Sequence, residues 1–539
     1  MALMLITVLT EEDNNIFECT CTYFWLLFDY CGHIVVIILI TVDKITMDSA
    51  DSIPKFYAGQ SIFLTGATGF LGRVYMEKIL RSCSDVREVF ILMRSKKGIG
   101  INERLEKILN LPLYDKLREE QPFNFTKLIP ISGDASKENL GLSATDWQML
   151  AERVTIIIHA SASMKFNDSL KYAIFTNTRS TRDICILAQN MKNLIALVYV
   201  STAYTHLNHS VIEEKIYPAV ADWRKMIEVA EKMDEHVINV CTAKCLDFLP
   251  NTYVFSKNLA EAVIAEYSSS LPCAIIRPSI VQNTYDDPVP GWIDNFNGII
   301  GIIVGTGKGV LRVLQTNEHI CLNVIPVDFV IKCIIVTTWQ LGLSICTPGS
   351  APLVIHCTSD QRHFLMEKTR KIGYQLVKEI PFENTIWTPN IIFTDNGTLY
   401  YILTILLHIL PAMLIDLIII LTKHQPMLIR LQSKIYVTNN TVKHFICNEW
   451  QFKIINWLKL HNSIPLKDRE TFSYDMNVFD FAKYYRNCVI GIKLYLLNED
   501  MNRIDELRAR RKRMDLFVVT LKTIIVTAAL WLMYKWIYV

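Results

Sequence analysis

The sequence lacks an excess of charge of either sign. Its 539 residues include 55 lysines and arginines and 53 aspartates and glutamates, which leaves a formal net charge of +2. Nucleic-acid-binding domains carry a basic patch or stripe, so this balance argues against nucleic acid as a partner. Internal repeats and low-complexity tracts are also missing, and the length is that of two or three domains.

Paired metal-binding cysteines are missing as well. The 14 cysteines are scattered, and neither Cys19-x-Cys21 nor Cys241-x3-Cys245 has a second pair or histidines at the spacing of a zinc site. The pattern predicts no metal. We interpret the cysteines as reduced thiols of a body that faces the cytosol.

A secretory signal is the third absence. The apolar segment 23–42 contains Asp29 and His33, and acidic residues precede it instead of a positively charged region, which makes it a poor signal peptide. Met47 begins a plain polar leader. We therefore treat residues 1–50 as a leader of doubtful status, and expect residues 1–46 to be dispensable or to reflect the choice of start site.

Apolar residues are abundant, at 51% of the chain. Residues 516–539 are long enough to span the ~30 Å of bilayer hydrocarbon as a helix. Positive charge flanks the cytosolic end of such helices, so this segment predicts a C-terminal tail anchor; a buried core helix is the alternative. The basic residues that precede it are Arg508, Arg510, Arg511, Lys512 and Arg513.

A second apolar segment, residues 400–421, is interrupted by His408, Pro411 and Asp416. A charged side chain is costly at the centre of a bilayer, so a clean membrane span is doubtful here. The segment favours an interfacial or substrate-contacting pair of helices.

Short β-rich runs alternate with helical patterns from Ser61 onward. The runs SIFLT, EVFILMR, KLIPIS, VTIIIHA and LIALVYVS are separated by helical stretches such as 70–82, 102–110 and 169–191. Strands that alternate with helices indicate βαβ units, so we predict an α/β fold with a doubly wound parallel sheet. After about residue 380 the sequence becomes helical and aromatic, which predicts a second, helical domain.

Three glycines follow the first of these strands at a spacing of three, Gly66, Gly69 and Gly72 in FLTGATGFLG. Glycine lets the backbone approach a pyrophosphate, and a helix that begins near Phe70 supplies N–H groups and a positive dipole for it. The pattern predicts a dinucleotide site. A tight structural turn is the alternative, because the spacing differs from the usual Gly-x-Gly-x-x-Gly.

Basic residues follow the second strand, where NAD-binding sites place an acid on the ribose 2′-hydroxyl. Arg94, Lys96 and Lys97 stand there, and Arg73 directly follows the glycine turn. Such charges suit the 2′-phosphate of NADPH, so the sequence favours NADPH over NADH. A solvated basic loop is the alternative.

The segment NTYVFSKNLAEAVIAEY, residues 251–267, is typical of a helix and carries Tyr253 and Lys257 on one face. Carbonyl reduction needs a proton, and a phenol with its usual pKa near ~10 exchanges protons poorly at neutral pH unless a cation stabilises its phenolate. Lys257 supplies that cation and can hold the nicotinamide ribose. Ser201 and Thr202, at the end of the fifth strand, are candidates for a hydrogen bond to the carbonyl oxygen. Taken alone, this motif is also common on exposed helices.

Longer motifs extend the pattern: FYAGQSIFLTGATGFLGRVYMEKILRSC, PISGDASKENLGLS, IIIHASASMKFNDSL, NTRSTRDICILA, IIRPSIV, DPVPGWIDNFNG, GTGKGVLR, CNEWQFK and FDFAKYYRNCVIGIKLYLL. Together they resemble an extended short-chain dehydrogenase/reductase, and more closely a eukaryotic fatty acyl-CoA reductase of the kind that makes wax and ether lipids. The resemblance runs from about Phe56 to Leu497. HASAS and the lead-in NVCTAKCLDFLPNTY depart from the family pattern and leave the chain-length preference open.

The resemblance implies a domain order and a set of cofactor contacts. It places an NADPH-binding reductase domain at 56–380, a helical sterile domain at 390–498 and a transmembrane anchor at 516–539. It also implies that Asp134 contacts the adenine. The cofactor-binding residues it implies are Gly66, Thr68, Gly69, Phe70, Leu71, Gly72, Arg73, Arg94, Asp134, Ala160, Asn177 and Lys257.

The resemblance also implies the reaction. Hydride from NADPH attacks the thioester carbonyl of a long-chain acyl-CoA, and Ser201 or Thr202 and Tyr253 steady the oxyanion. CoA leaves to give an aldehyde, which a second NADPH reduces to a primary fatty alcohol with Tyr253 as proton donor. The expected partners are acyl-CoA and membrane lipid at the peroxisome or endoplasmic reticulum, with a homodimer left open. Two rivals remain: a sterol or nucleotide-sugar dehydrogenase, and an inactive membrane-anchored scaffold.

Overall fold

The computed structural model describes residues 52–96, 98–343, 351–359 and 365–538, and the backbone of three strands before them. The chain divides into two units, Met1–Ser52 and Ile53–Val539. In the first unit, β1 (Ile6–Thr7), β2 (Thr22–Phe28) and β3 (Ile34–Thr41) form an antiparallel sheet in the order β1–β2–β3. The rest of the predicted leader lies outside the described residues.

A seven-stranded sheet forms the centre of the second unit. Its strand order is β14–β10–β8–β7–β4–β5–β6, and every neighbouring pair is parallel. The predicted doubly wound α/β fold is therefore confirmed. The strands of this unit are β4 (Ser61–Thr65), β5 (Glu88–Met93), β6 (Leu128–Ser132), β7 (Ile156–His159), β8 (Ala196–Val200), β9 (Val211–Ile212), β10 (Cys273–Pro278), β11 (Ile280–Gln282), β12 (Val313–Gln315), β13 (Val324–Pro326), β14 (Leu353–Cys357), β15 (Ile392–Thr394) and β16 (Gln451–Phe452).

Helices cover both faces of this sheet, which is why the central strands are apolar without interruption. The helices are α1 (Ile53–Tyr57), α2 (Phe70–Ser82), α3 (Ile101–Leu109), α4 (Asp115–Glu120), α5 (Ala144–Arg153), α6 (Leu170–Ala173), α7 (Ser180–Gln189), α8 (Trp223–Lys232), α9 (Glu235–Leu246), α10 (Thr252–Tyr267), α11 (Ile299–Gly307), α12 (Val327–Leu343), α13 (Met366–Glu379), α14 (Gly397–Thr404), α15 (Leu410–Leu421), α16 (Leu428–Ile446), α17 (Ile455–Asn462), α18 (Arg469–Phe472), α19 (Phe481–Gly491) and α20 (Ile504–Tyr538).

The side chains of a strand divide between two apolar cores, because successive residues point to opposite faces. In β4, Ile62 and Leu64 belong to the core formed with α2 and α12, whereas Phe63 belongs to the core formed with α7 and α10. The sheet is thus buried on both sides. Doubly wound folds bind their ligands outside the carboxyl ends of the strands, so the site is expected at that edge of the sheet.

The helical C-terminal region is joined to the sheet region by short parallel strand pairs. β12 pairs with β15, and β9 pairs with β16. The backbones also meet where α19 ends, because a Cβ at Gly491 would lie only 1.7 Å from the Gly291 carbonyl oxygen. Loops of the sheet region are therefore held by the helices that follow.

Two helical stretches in the described part of the chain are long and apolar enough to cross a membrane. They are Gly397–Leu421, which runs through α14, a π-helical turn (Ile405–Ile409) and α15, and Met501–Trp536, which includes most of α20. Length and composition are the basis of this assignment. The two stretches contain the apolar segment 400–421 and most of 516–539, whereas the third apolar segment, 23–42, contains strand β3 and all but the first residue of strand β2.

Candidate active site

The glycine turn lies between β4 and α2, at the point where the strand order reverses and a crevice opens between β4 and β7. Gly66 has φ +78°, and a Cβ there would lie 2.7 Å from the carbonyl group of Ala160 after β7. A Cβ at Gly72 would lie 2.3 Å from the Gly66 carbonyl oxygen. Only glycine fits at these two positions.

The N-terminus of α2 is open. Gly69 is its N-cap and has no capping side chain, so the first N–H groups of the helix point out unblocked beside the half-buried Thr68 and Leu71. Together with the glycine cradle, this arrangement fits a dinucleotide pyrophosphate.

Three guanidinium groups gather at the end of β5. Arg94 lies 3.3 Å from an Asp134 carboxylate oxygen, and Arg104 of α3 donates to the Arg94 carbonyl oxygen. Burial and the positive charges of Arg94 and Arg73 lower the pKa of Arg104. An anion would relieve this repulsion. The sequence interpretation missed Arg104, since nothing in the α3 segment singles it out before the loop is folded.

The other predicted phosphate ligands differ in their surroundings. Arg73 is paired at 2.5 Å with Asp294, in the loop that carries the DPVPGWIDNFNG motif. Lys96 forms an isolated antiparallel bridge with Ile99, and Lys97 lies outside the described residues. Arg94 is half exposed at the guanidinium cluster, whereas the Arg73 guanidinium of that cluster is paired with Asp294.

Asp134, the predicted adenine contact, follows β6. Its carboxylate accepts hydrogen bonds from the backbone N–H and the hydroxyl of Ser136 at 2.9 and 2.8 Å. Burial works to raise the pKa of Asp134, but these hydrogen bonds and the Arg94 charge outweigh it and hold the pKa below its usual value. The group is an anion at the rim of the crevice.

Tyr253 stands in the first turn of α10, whose N-cap Asn251 accepts a hydrogen bond from the Val254 N–H at 2.9 Å. Burial raises the pKa of Tyr253 to about 12, and a hydrogen bond with Thr202 acts in the opposite direction. The phenol is therefore protonated at neutral pH. Its ring lies 5.7 Å from that of Phe166, which lies 5.5 Å from Phe445 at the end of α16.

Lys257 is one helical turn further along α10 and is buried. Its Nζ donates to the Val200 carbonyl oxygen at 2.6 Å and lies 4.6 Å from the centre of the Tyr199 ring. Burial lowers the pKa of Lys257 to about 7, and the negative charge of Glu261 works against that shift. The ammonium group thus titrates near neutral pH.

Ser201 and Thr202 point to different partners. The Ser201 hydroxyl donates to Glu261 at 2.5 Å, whereas Thr202 is the residue that hydrogen-bonds Tyr253. The structure therefore brings together Tyr253 and Thr202, with Lys257 on the same helix face, and ties Ser201 into a buried cluster behind them.

Glu261 is the centre of that cluster. It accepts from Arg277 Nε and Nη2 at 2.9 and 2.7 Å and contacts His206 Nε2 at 3.2 Å. The Arg277 charge and these hydrogen bonds outweigh burial and hold the pKa of Glu261 well below its usual value. The sequence interpretation missed Glu261, Arg277 and His206, although Glu261 stands four residues after Lys257 and thus on the same helix face.

Asn177 joins the loop after β7 to α10. It lies in a π-helical segment (Ile174–Arg179), donates to Ser256 Oγ at 2.9 Å and accepts from the Ser163 N–H at 2.9 Å. Ala160 begins the same loop. These contacts place the loop between the glycine turn and Tyr253.

His159, which the sequence interpretation also missed, joins β4, β7 and α7. Its ring nitrogens contact Thr65 Oγ1 at 2.7 Å and Thr181 Oγ1 at 3.1 Å. Burial and the nearby Lys257 charge lower the pKa of His159 to about 3, so the ring is neutral. It acts as a structural bridge beneath the crevice.

The loop that follows β11 packs on the start of α2. The rings of Trp292 and Phe70 are stacked with centroids 5.5 Å apart, and Asp294 pairs with Arg73 as described above. This loop therefore borders the glycine turn. Among the described residues, no group of three or more His, Cys, Asp or Glu side chains is arranged to hold a metal ion, and the described cysteines form no disulfide with one another.

A glycine-lined turn at the switch point of a doubly wound sheet, with a Tyr-x-x-x-Lys pair at the end of β8, is the arrangement of a nicotinamide-dependent oxidoreductase. Two family models described as male sterility protein match the chain, an NAD-binding one at residues 64–334 and a sterile one at residues 407–499. Human fatty acyl-CoA reductase 1 is 36% identical over 465 residues, which are 86% of this chain and 89% of that protein. The fatty acyl-CoA reductase wat of Drosophila melanogaster is 33% identical over 91% of this chain and 95% of its own length. The chain belongs to the fatty acyl-CoA reductase family.

Solved structures give the same fold. The terminal R domain from the myxalamid PKS-NRPS biosynthetic pathway superposes with a TM-score of 0.55 at 20% identity, covering 81% of this chain and 90% of that domain. The reductase domain of a nonribosomal peptide synthetase from Mycobacterium tuberculosis gives 0.52 at 17% identity, covering 81% and 92%. At these identities the likeness concerns the fold.

Proposed function

We propose that the chain reduces long-chain fatty acyl-CoA to the primary fatty alcohol with NADPH, releasing CoA and passing through an aldehyde. The observation that carries this proposal is that Thr202 and the glycine turn follow β8 and β4, with β7 between these two strands, and that Tyr253 and Lys257 contact the β8 end, in a chain of the fatty acyl-CoA reductase family. The aromatic contacts from Tyr253 through Phe166 to Phe445 support an apolar substrate, because they surround the phenol with apolar rings.

The cofactor would be held by the backbone of the turn and by the groups around it. Gly66, Thr68, Gly69, Phe70, Leu71 and Gly72 would cradle the pyrophosphate, with Asp134 at the adenine and Ala160 and Asn177 along the crevice. We assign the 2′-phosphate to Arg94 and Arg104, because Arg73 is committed to Asp294. This assignment favours NADPH over NADH.

The bound nicotinamide supplies hydride to the carbonyl carbon. Tyr253 Oη holds a proton at neutral pH, since its pKa is raised to about 12, and donates it to the oxygen that becomes the alcohol. Thr202 orients the phenol through their hydrogen bond. Lys257 would stabilise the phenolate left behind and would hold the cofactor's ribose. Ser201 hydrogen-bonds Glu261 and so fixes the segment that carries Thr202.

We propose that residues 56–380 form the reductase domain, 390–498 the helical sterile domain and 516–539 a membrane anchor. The two family models, which match 64–334 and 407–499, support this division. The basic residues at the start of α20 support a catalytic body in the cytosol, on the endoplasmic reticulum or the peroxisome.

The test is an assay of the purified full chain with palmitoyl-CoA. We expect NADPH oxidation, release of CoA and the appearance of hexadecanol in a lipid extract. NADPH consumption without alcohol or aldehyde would contradict the proposal, as would turnover of a sterol or a nucleotide sugar in place of acyl-CoA.

A further inference from the structure

The apolar helix, which we define as residues 397–421, has the reverse of the usual amphipathic pattern. Its buried side chains follow one stripe at a spacing of four residues, and three of the five are polar or charged. A surface helix normally buries its apolar stripe and exposes its polar one. The buried stripe consists of Tyr400, Thr404, His408, Ala412 and Asp416.

The inward polar groups bind the protein body. His408 Nε2 accepts hydrogen bonds from the backbone N–H groups of Arg312 at 2.9 Å and Val313 at 3.3 Å. Asp416 accepts from the N–H groups of residues 427, 428 and 429, at 2.9 to 3.1 Å, and so caps the start of α16. The helix is therefore attached to protein along its length and cannot be surrounded by lipid as an isolated span is.

The outward face is apolar and exposed. Leu414, Ile418 and Leu421 are 56%, 60% and 74% exposed. Contiguous apolar patches on soluble monomers are small, and a larger one marks a contact with protein or membrane. The other exposed members of this face are Leu399, Tyr401, Ile402, Ile405, Leu406, Leu410, Met413, Ile415, Leu417 and Ile420.

The exposed charged side chains that follow the apolar helix, as far as residue 446, are basic, whereas the exposed Asp395 precedes it. Residues 396–446 contain a single acidic side chain, the buried Asp416. Lys423, Arg430 and Lys434 are exposed in the turn after the apolar helix and on α16. Amphipathic helices that lie on anionic membranes combine an apolar face with such basic flanks.

We propose that the apolar helix lies in the plane of an anionic membrane, with its outward face among the acyl chains of one leaflet and Lys423, Arg430 and Lys434 at the headgroups. This contact is separate from the C-terminal anchor and does not depend on the reaction. The protein body would then contact the membrane at a second place, in addition to the C-terminal anchor.

The experiment uses the full chain in vesicles of phosphatidylcholine and phosphatidylserine at 4:1, with a phosphatidylcholine that carries a diazirine in its acyl chain. After irradiation, lipid adducts are mapped by mass spectrometry. We expect adducts on outward residues such as Leu414 and Ile418, none on Thr404 or His408, and adducts on α20 as the internal reference. Labelled α20 peptides with an unlabelled 397–421 segment would overturn the proposal. Cross-links between the 397–421 segments of two chains, in place of lipid adducts, would do the same.

Two comparisons sharpen this test. The double variant Leu414→Asp, Ile418→Asp should lower adduct yield in residues 397–421 at least fivefold and leave α20 labelling unchanged. The control Leu466→Asp, Val478→Asp changes two apolar residues elsewhere that are even more exposed, and it should not lower that yield. Vesicles without phosphatidylserine should give several-fold fewer adducts on the helix. Equal yields there would overturn the role of the basic flank.

Discussion

Lys257 owes its charge near neutral pH to one neighbour. Burial lowers its pKa to about 7, and the negative charge of Glu261 keeps the pKa from falling further. If the ammonium form is active, kcat/KM should fall as pH rises through about 7. In Glu261→Gln the opposing charge is gone, so we expect the fall at lower pH.

The control for this prediction is Ser201→Ala, which removes a hydroxyl from the cluster and keeps the Glu261 charge. In this variant kcat/KM should fall at the same pH as in the parent chain. NADPH binding by each variant, followed by fluorescence, reports whether the crevice is folded. If Glu261→Gln binds NADPH and its kcat/KM falls at the same pH as in the parent chain, Glu261 does not set the pKa of Lys257.

Tyr253→Phe removes the proton donor and keeps the ring. We expect reduction of palmitoyl-CoA to drop ~100-fold or more, in the range that general acids contribute, with NADPH binding largely retained. Tyr267→Phe makes the same change at the other end of α10 and should keep near-normal turnover. Near-normal turnover by the Tyr253 variant would exclude the phenol as proton donor.

Arg94→Asp should reverse the cofactor preference towards NADH. A carboxylate repels the 2′-phosphate and accepts a hydrogen bond from a free ribose hydroxyl. The ratio of kcat/KM for the two cofactors measures the effect. Arg87→Asp makes the same charge change at the other end of β5 and should leave the ratio unaltered. An unaltered ratio in the Arg94 variant would mean that other residues recognise the phosphate.

At the scale of elements, the end of α19 holds the loop that borders the glycine turn. A Cβ at Gly491 would lie 1.7 Å from the Gly291 carbonyl oxygen, and backbone cannot move aside as a flexible side chain can. Gly491→Ala should therefore cost about 3 kcal/mol of stability, at the upper end of overpacking effects. It should also weaken NADPH binding, because the displaced loop carries Trp292 and Asp294.

The matched control is Gly373→Ala in α13, where no atom lies within 4 Å of the added Cβ. Replacing an unobstructed helical glycine should raise stability by up to ~1 kcal/mol. Thermal unfolding of the detergent-solubilised chains measures both changes. Equal unfolding temperatures for the two variants would show that the close approach is unimportant.

Local elements were largely predictable. The strand, turn and helix from Ser61 to Ser82 are consecutive in the chain. The spacing of their glycines and apolar residues therefore predicts them without reference to distant parts of the chain. The α10 helix was predicted as 251–267 and spans Thr252–Tyr267. The π-helical segment around Asn177 was not predicted, because a single π-helical turn is too short to change the spacing of apolar residues along the helix.

For the whole molecule, the catalytic body should face the cytosol and α20 should cross the membrane. Protease added to intact microsomes or peroxisomes should digest the reductase domain while a lumenal marker survives. The sequons at Asn167 and Asn208 are exposed and would be glycosylated if the body lay in the lumen. A body in the cytosol carries no such glycans, so we expect no mass shift on deglycosylation. A protected body, or such a shift, would place it on the other side.

The sequence alone determined what depends on near neighbours in the chain: the doubly wound sheet, the glycine turn, and the Tyr253 and Lys257 pair one helical turn apart. Only the tertiary structure decided between Ser201 and Thr202, and only it paired Arg73 with Asp294, 221 positions away. It also turned His408 and Asp416 inward and left the apolar face of their helix exposed. Local patterns record which way a side chain faces along its own element, whereas a partner hundreds of residues away is specified only when the elements pack.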